Sequence, residues 1–273
     1  VNGNFDDCQN LVKTMFADKD FSNDIKMSGV NSINWARIIA QSVYYFYSYF
    51  LIEDDNRSIN FSVPTGNFGD VYAGYLAKKM GLPINKLIVA TNQNDILHRA
   101  ISNGGYEVEN VFETLSPSMD IQVASNFERL LYDFYLDCDS NLCSKLYSKF
   151  PDESINVNET IWKQSSDLFI SYSSDDISTY KCMQFYYENY DYIMDPHTAV
   201  AADAVKSLKN KLQGKTIILS TAHPAKFPSV LKNAGLSVSN IPNKLSEVLN
   251  KNEVAKKLSA LDESIFEYIK ENN

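Results

Sequence analysis

The 273-residue chain is 44% hydrophobic, enough to bury the core of one large domain or two modest ones. Its 34 Asp and Glu against 25 Lys and Arg leave a net charge of -9, which excludes a nucleic-acid surface, because gripping a phosphate backbone needs a clustered excess of cations. The longest apolar run, Val43 to Ile52, is short of the ~20 residues that span a bilayer, so neither a membrane segment nor a signal peptide is expected and the cytoplasm is the expected location.

Along the chain, the opening Val1-Asn2-Gly3-Asn4 has no initiator Met and reads like the interior of a domain, so a fragment is expected. Asp6 or Asp7 can cap a helix whose Leu11, Val12, Met15 and Phe16 fall at helical spacing. A longer helix follows, capped by Asn31 or Ser32, with Trp35, Ile38, Ile39, Val43, Phe46 and Phe50 forming one core-facing stripe. Glu53 to Arg57 reads as a turn. Ile59 to Val63 is a short strand, Pro64 to Gly69 a tight loop, and Asp70 to Met80 a helix closed by Gly81 and Pro83. Lys86 to Ala90 is a second strand, and a helix over Asp95 to Ser102 stops at Gly104-Gly105. Strand, helix, strand, helix is the order of a parallel sheet, so the expected fold class is α/β, an open, mostly parallel sheet flanked by helices.

Ala124 to Leu136 carries Phe127, Leu130, Leu131 and Phe134 at helical spacing. Residues 137–195 are rich in Ser, Asp, Asn and Tyr, lack strand signals, and read as a helical insertion with helices near 159–169 and 178–189. After Asp195-Pro196-His197-Thr198 the α/β rhythm resumes with a helix to about Leu212, a stop at Gly214 and an apolar strand from Thr216 to Leu219. The tail from Leu245 to Ile269 is one or two amphipathic helices. Cys8, Cys138, Cys143 and Cys182 form neither a CxxC pair nor a cluster with histidines, so reduced, partly buried thiols are expected and no metal site is.

The sharpest chemical feature is Thr65-Gly66-Asn67-Phe68-Gly69-Asp70, set between a buried strand and a helix. Two glycines let the backbone turn its amides inward, and the helix N-terminus adds about half a positive charge, so a phosphate can be cradled without Lys or Arg. The same spacing also suits an ordinary βα turn. It is neither a Walker loop nor a GxGxxG dinucleotide fingerprint. Asp70 is expected to accept from loop amides as a carboxylate, its ionised form favoured by the helix dipole. Thr221, in Ser220 to Phe227, stands beyond the carboxyl end of a strand, where ligands of open α/β sheets bind, or else caps a helix ahead of Pro224. His223 reads as structural, Arg37 can face a cleft, and His98 and Arg99 read as a solvated face or an anion contact.

Phe5 to Gln9, Asn31 to Arg37, Pro64 to Asp70, Ala90 to Asn92 with Asn94 to Leu97, Ser116 to Asp120, Ser125 to Arg129 and Ser220 to Phe227 resemble stretches of the threonine synthase family, in family order. The resemblance covers residues 1 to about 136 and 195–230 and points to the family's C-terminal portion. It implies a fold-type II, tryptophan synthase beta-like enzyme that uses pyridoxal 5'-phosphate to convert O-phospho-L-homoserine and water to L-threonine and phosphate. It also implies that Gly66, Asn67, Phe68, Gly69 and Asp70 grip the cofactor phosphate and that Thr221 meets the pyridine nitrogen. The family's Schiff-base lysine, in a Phe-Lys-Asp setting, has no counterpart here, so no catalytic residue is assigned and a further N-terminal part of the same protein is the expected partner. Arg37, Arg99 and Lys226 are the candidates for the substrate's phosphate. The implied domains are 1–25, the end of a smaller α/β domain; 26–136, the first part of a large one; the insertion 137–195; and 196–273, the large domain continued with C-terminal helices. A noncatalytic anion-binding module and a related fold-type II lyase are the alternatives.

Overall fold

Four strands, β1 (Ile59–Pro64), β2 (Ile84–Thr91), β5 (Phe169–Ser173) and β6 (Thr216–Ile218), form one sheet in the order β5-β2-β1-β6, with every neighbouring pair parallel. The computed structural model describes residues 1–3, 5–29, 32, 34–52, 58–136, 140–159, 162–163, 167–238, 241–249, 251–259 and 262–272. The central strands β1 and β2 are buried almost throughout because helices cover both faces of the sheet. Alternation along each strand divides the side chains between those faces. Phe61, Val63, Leu87 and Val89 join a core with Ile38 and Tyr45 of α3 (Trp35–Phe50), Val71 of α4 (Gly69–Lys79), Leu97 of α5 (Ile96–Asn103) and Phe127 of α6 (Phe127–Leu136). Ile88 and Ala90 pack on the other side against Val200, Ala201 and Ala204 of α9 (Pro196–Leu208). α8 (Asp176–Tyr190) packs on α9 through Cys182, Met183, Ala199 and Ala202.

The polar residues of β1 are satisfied rather than stranded. The Asn60 amide donates to the carbonyls of Gln213 and Lys215 at 2.9 and 3.2 Å, and the Ser62 hydroxyl donates to the Ala201 carbonyl at 2.7 Å. A separate antiparallel ribbon pairs β3 (Gly105–Tyr106) with β4 (Ile155–Asn156). α7 (Ser140–Tyr147) and α10 (Pro228–Asn233) complete this unit, which runs over residues 31–238. A second compact unit combines residues 1–30 with 239–273. In it Leu11 and Met15 of α1 (Phe5–Ala17), Phe21 of α2 (Lys19–Asp24) and Ile265 of α12 (Asp262–Glu271) form a small core, and α11 (Asn243–Leu249) carries no buried residue. Among the described residues no helix is long and apolar enough to cross a membrane.

Four local expectations change. First, strands do occur within 137–195: β4, and β5, which pairs in parallel with β2. β5 is a five-residue edge strand, Phe-Ile-Ser-Tyr-Ser, buried only at its first residue. Its serines dilute the apolar alternation that marks a strand. Of the helix expected near 159–169, residues 159, 162 and 163 are helical, 160–161 and 164–166 lie outside the described residues, and Phe169 begins the strand instead. Second, α3 is capped by Asn34, whose side chain accepts from the Ala36 amide at 3.0 Å, and not by Ser32; Asn31 lies outside the described residues. Third, its buried stripe is Ile38, Ser42 and Tyr45, whereas Trp35, Ile39, Val43 and Phe50 are exposed. Both stripes recur at helical spacing, so periodicity alone does not choose between them. α1 also starts at Phe5, one residue before the proposed Asp6 cap. Residues 53–57 and Cys138 fall outside the described residues; Cys143 and Cys182 are buried free thiols.

Candidate functional site

β1 and β6 lie side by side and run the same way, so the turns leaving their C-terminal ends open on one edge of the sheet. The turn after β1 enters α4 through Phe68, whose φ of 63° is left-handed. That conformation costs a non-glycine residue about 1 kcal/mol or more. The Phe68 ring offsets it by full burial against Phe127 and Phe169, with centroids 5.3 and 6.1 Å away.

The rest of the turn is pinned as tightly. The Asn67 amide donates to Ser32 Oγ at 2.5 Å, Ser125 Oγ donates to Asn67 Oδ1 at 2.5 Å, and the Asn126 amide N–H donates to the Asn67 carbonyl at 3.3 Å. Thr65 donates from its hydroxyl to Val63 at 2.6 Å and from its amide to Ala90 at 2.7 Å. Gly66 presses on the short turn Pro117–Met119. With its side chains so engaged, the loop keeps the N–H groups of Gly66, Asn67, Phe68 and Gly69 without an acceptor among the described residues. Those of a helix start have no intrahelical partner in any case. They border a cavity of about 160 Å³ lined also by Ser32 and Gln41.

A larger cavity of about 470 Å³ is lined by Arg37, Gln41, Tyr44, Asp70, Leu219 and Thr221, among others. Gln41 and Asp70 line both spaces. Gln41 Oε1 and Asp70 Oδ1 are buried and have no hydrogen-bond partner among the described residues. Such orphaned acceptors cost about 1–3 kcal/mol each, a cost that a ligand's donor would relieve.

Asp70 therefore corrects an expectation. It accepts from no loop amide, and burial pushes its carboxyl up to about 6, a rise that the nearby Tyr45 hydroxyl only partly opposes. Desolvation outweighs the helix dipole here. The Tyr45 hydroxyl itself donates to the Asp70 backbone carbonyl at 2.7 Å. A raised carboxyl makes stability depend on pH with a definite sign. Below about pH 4 the proton is bound in both states; from there to about pH 6 the unfolded chain loses it first, so stability falls as pH rises and then stays lowered. Asp70→Asn is expected to be the more stable form by on the order of 2 kcal/mol at neutral pH, with the difference vanishing below about pH 4, read by urea denaturation across pH.

The other sequence candidates are placed as follows. Arg37 and Thr221 line the larger cavity together with Asp70. Lys226 is exposed at the end of the turn Pro224–Lys226 and lines neither cavity. Arg99 lines neither as well: it pairs with Asp95 at 2.9 Å and Glu109 at 3.1 Å and donates to Gln122 Oε1 at 3.2 Å. Sequence reasoning missed Gln41, although it stands four residues after Arg37, on the same helix face. It also gave no role to Asn92, Asn94, Thr114 and Ser116. Asn92, Asn94 and Thr114 converge on the Asp120 carboxylate at 2.7 to 3.0 Å, while Asn92 also donates to Ser116 Oγ, bracing the turn behind Gly66.

Three comparisons bear on this arrangement. The family described as "Threonine synthase, C-terminal" matches residues 198–269. The threonine synthases of Pseudomonas aeruginosa and Saccharomyces cerevisiae are each 42% identical to the chain, over 93% and 99% of it and over 54% and 57% of their own lengths. A crystal structure of PLP-bound threonine synthase from Brucella melitensis matches with a TM-score of 0.85 at 40% identity, covering 99% of this chain and 58% of that one. The chain thus spans little more than half the length of the relatives it matches. In sequence and in fold, the chain belongs to the threonine synthase family, corresponding to the C-terminal portion of its members.

Proposed function

We propose that this chain is the cofactor-holding portion of a cytoplasmic, pyridoxal-phosphate-dependent threonine synthase, which converts O-phospho-L-homoserine and water to L-threonine and phosphate. The observation that carries the reading is the row of unpartnered amides from Gly66 to Gly69, next to the cavity that Thr221 lines. Pyridoxal phosphate, when bound, supplies an electron sink for the charge that develops as protons leave the substrate's α and β carbons.

The chain's own residues divide the remaining work. The amides of Gly66, Asn67, Phe68 and Gly69, with the α4 N-terminus behind them, neutralise a phosphate dianion without a cation. The Asn67 side chain holds the loop to Ser32 and Ser125 and so keeps those amides aimed. Asp70, at the seam of both cavities and carrying a raised carboxyl, can donate or accept near neutral pH and so tolerates the neighbouring dianion. Thr221 offers the pyridine nitrogen a neutral hydroxyl, which does not force its protonation. Arg37, in the same cavity, is the proposed contact for the substrate's phosphate, since a guanidinium meets phosphate oxygens through two parallel N–H bonds. The lysine that holds the cofactor covalently is proposed to come from the part of the relatives' length that this chain does not span.

The intact protein supplied with pyridoxal phosphate is expected to release threonine and inorganic phosphate from O-phospho-L-homoserine in equal amounts. Retention of the cofactor by a folded protein that releases neither product would overturn the reading. Turnover of a different phosphorylated amino acid in a parallel panel would favour a related lyase.

A further inference from the structure

The buried pair Asp195 and His197 has no part in the site as described so far. Asp195 caps α9 and is fully buried; its Oδ1 accepts from the His197 amide at 2.9 Å, and its Oδ2 accepts from the Thr198 hydroxyl. The His197 ring uses both nitrogens. Nδ1 lies 2.9 Å from Asp195 Oδ1, and Nε2 accepts from the Ser118 amide at 3.3 Å. A nitrogen that accepts carries no proton, so the neutral ring holds its proton on Nδ1 and donates it to the carboxylate. The ring also packs against Phe227, centroids 5.1 Å apart.

The ring's contacts with Ser118 and Phe227 each lead to a loop of the proposed site. Ser118 lies in the turn whose carbonyl stands where a side chain on Gly66 would go, and Phe227 ends the segment that begins with Ser220 and Thr221. Asp195 alone would suffice to cap the helix, so the cap does not explain the histidine. An apolar residue of the same size would leave the Ser118 amide unpaired. We propose that His197 is a positioning residue: held by Asp195, it fixes the turn Pro117–Met119 against Gly66 and the Thr221 segment beside it, and so sets the spacing of the two loops that would hold the cofactor. This inference rests on the function proposed above.

The test uses the intact protein and two variants. His197→Asn keeps a donor toward Asp195 and removes the acceptor for Ser118; His197→Gln places an acceptor near the position of Nε2. In equilibrium dialysis, His197→Asn is expected to hold pyridoxal phosphate on the order of 10-fold more weakly, with faster exchange of the Ser118 amide, and His197→Gln is expected to recover most of both. Nitrogen-15 spectra of the wild type should show a pyridine-like Nε2 and a protonated Nδ1. A proton on Nε2 in the wild type overturns the proposal even if both variants fail to fold, as does wild-type cofactor affinity in a folded His197→Asn. A wild-type protein that binds no pyridoxal phosphate overturns the proposed function, while the tautomer and the Ser118 exchange still decide whether His197 fixes the turn.

Discussion

Gly66→Ala is expected to destabilise the folded chain by about 2 kcal/mol and to weaken its hold on pyridoxal phosphate on the order of 10- to 100-fold. A Cβ at this position would stand 2.8 Å from the Ser118 carbonyl oxygen and 3.1 Å from the Met119 Cα. Both obstacles are backbone, so no rotamer change clears them. The turn that carries them cannot retreat cheaply, because the Met119 amide donates to the Ser116 carbonyl at 2.9 Å and Asp120 is held by Asn92 and Thr114. The cradle must therefore yield, and its amides lose their common aim. Urea denaturation and cofactor dialysis on the same preparation measure the two effects. Unaltered affinity in a folded Gly66→Ala would show that the loop's geometry is not what holds the phosphate.

Gly74→Ala sets two physical effects against each other. Alanine is the better helix former by about 1 kcal/mol, and position 74 is inside α4, so propensity alone predicts a gain. The added Cβ, however, would sit 2.6 and 2.7 Å from Tyr45 Cε1 and Cζ and 2.9 Å from Leu87 Cδ2. Tyr45 is fully buried, its hydroxyl tied to the Asp70 carbonyl and its ring 4.8 Å from that of Phe61. Overpacking of a core this close costs about 1–3 kcal/mol, and contacts below 3.0 Å on two neighbours place this case at the upper end. The expected net result is a loss of about 2 kcal/mol, seen as a lower urea midpoint with an unchanged slope. A rise in the midpoint would mean that α3 and α4 separate with little cost.

The fold was legible where one signal had no rival. The strand, turn and helix around Gly66 and the apolar run after Gly214 carry their own punctuation, and the parallel sheet follows from their alternation with helices. β5 was illegible because an edge strand with serine at alternate positions need not look apolar. The orientation of α3 was illegible because both of its faces are apolar, and only its neighbours decide which face turns inward. In the candidate site, glycine spacing and strand-end logic pointed to the two turns that border the cavities. The ionisation of Asp70 could not be read in the same way, since it depends on how much water the fold leaves around one carboxyl. The braces behind the loop, Ser32, Ser125, Asp120 and His197, reach it only through tertiary contact across many residues.

β1 takes its two neighbours from very different distances along the chain: β2 begins 20 residues after β1 ends, whereas β6 pairs through Asn60 and Thr216, which are 156 positions apart. During synthesis the amide cradle must wait for the braces that reach it from Ser125, Phe169 and His197, and the strand that delivers Thr221 beside it is among the last parts of this unit to leave the ribosome. The phosphate side and the ring side of the pocket would thus be completed together, late in synthesis, once β6 has closed onto β1 over this long range.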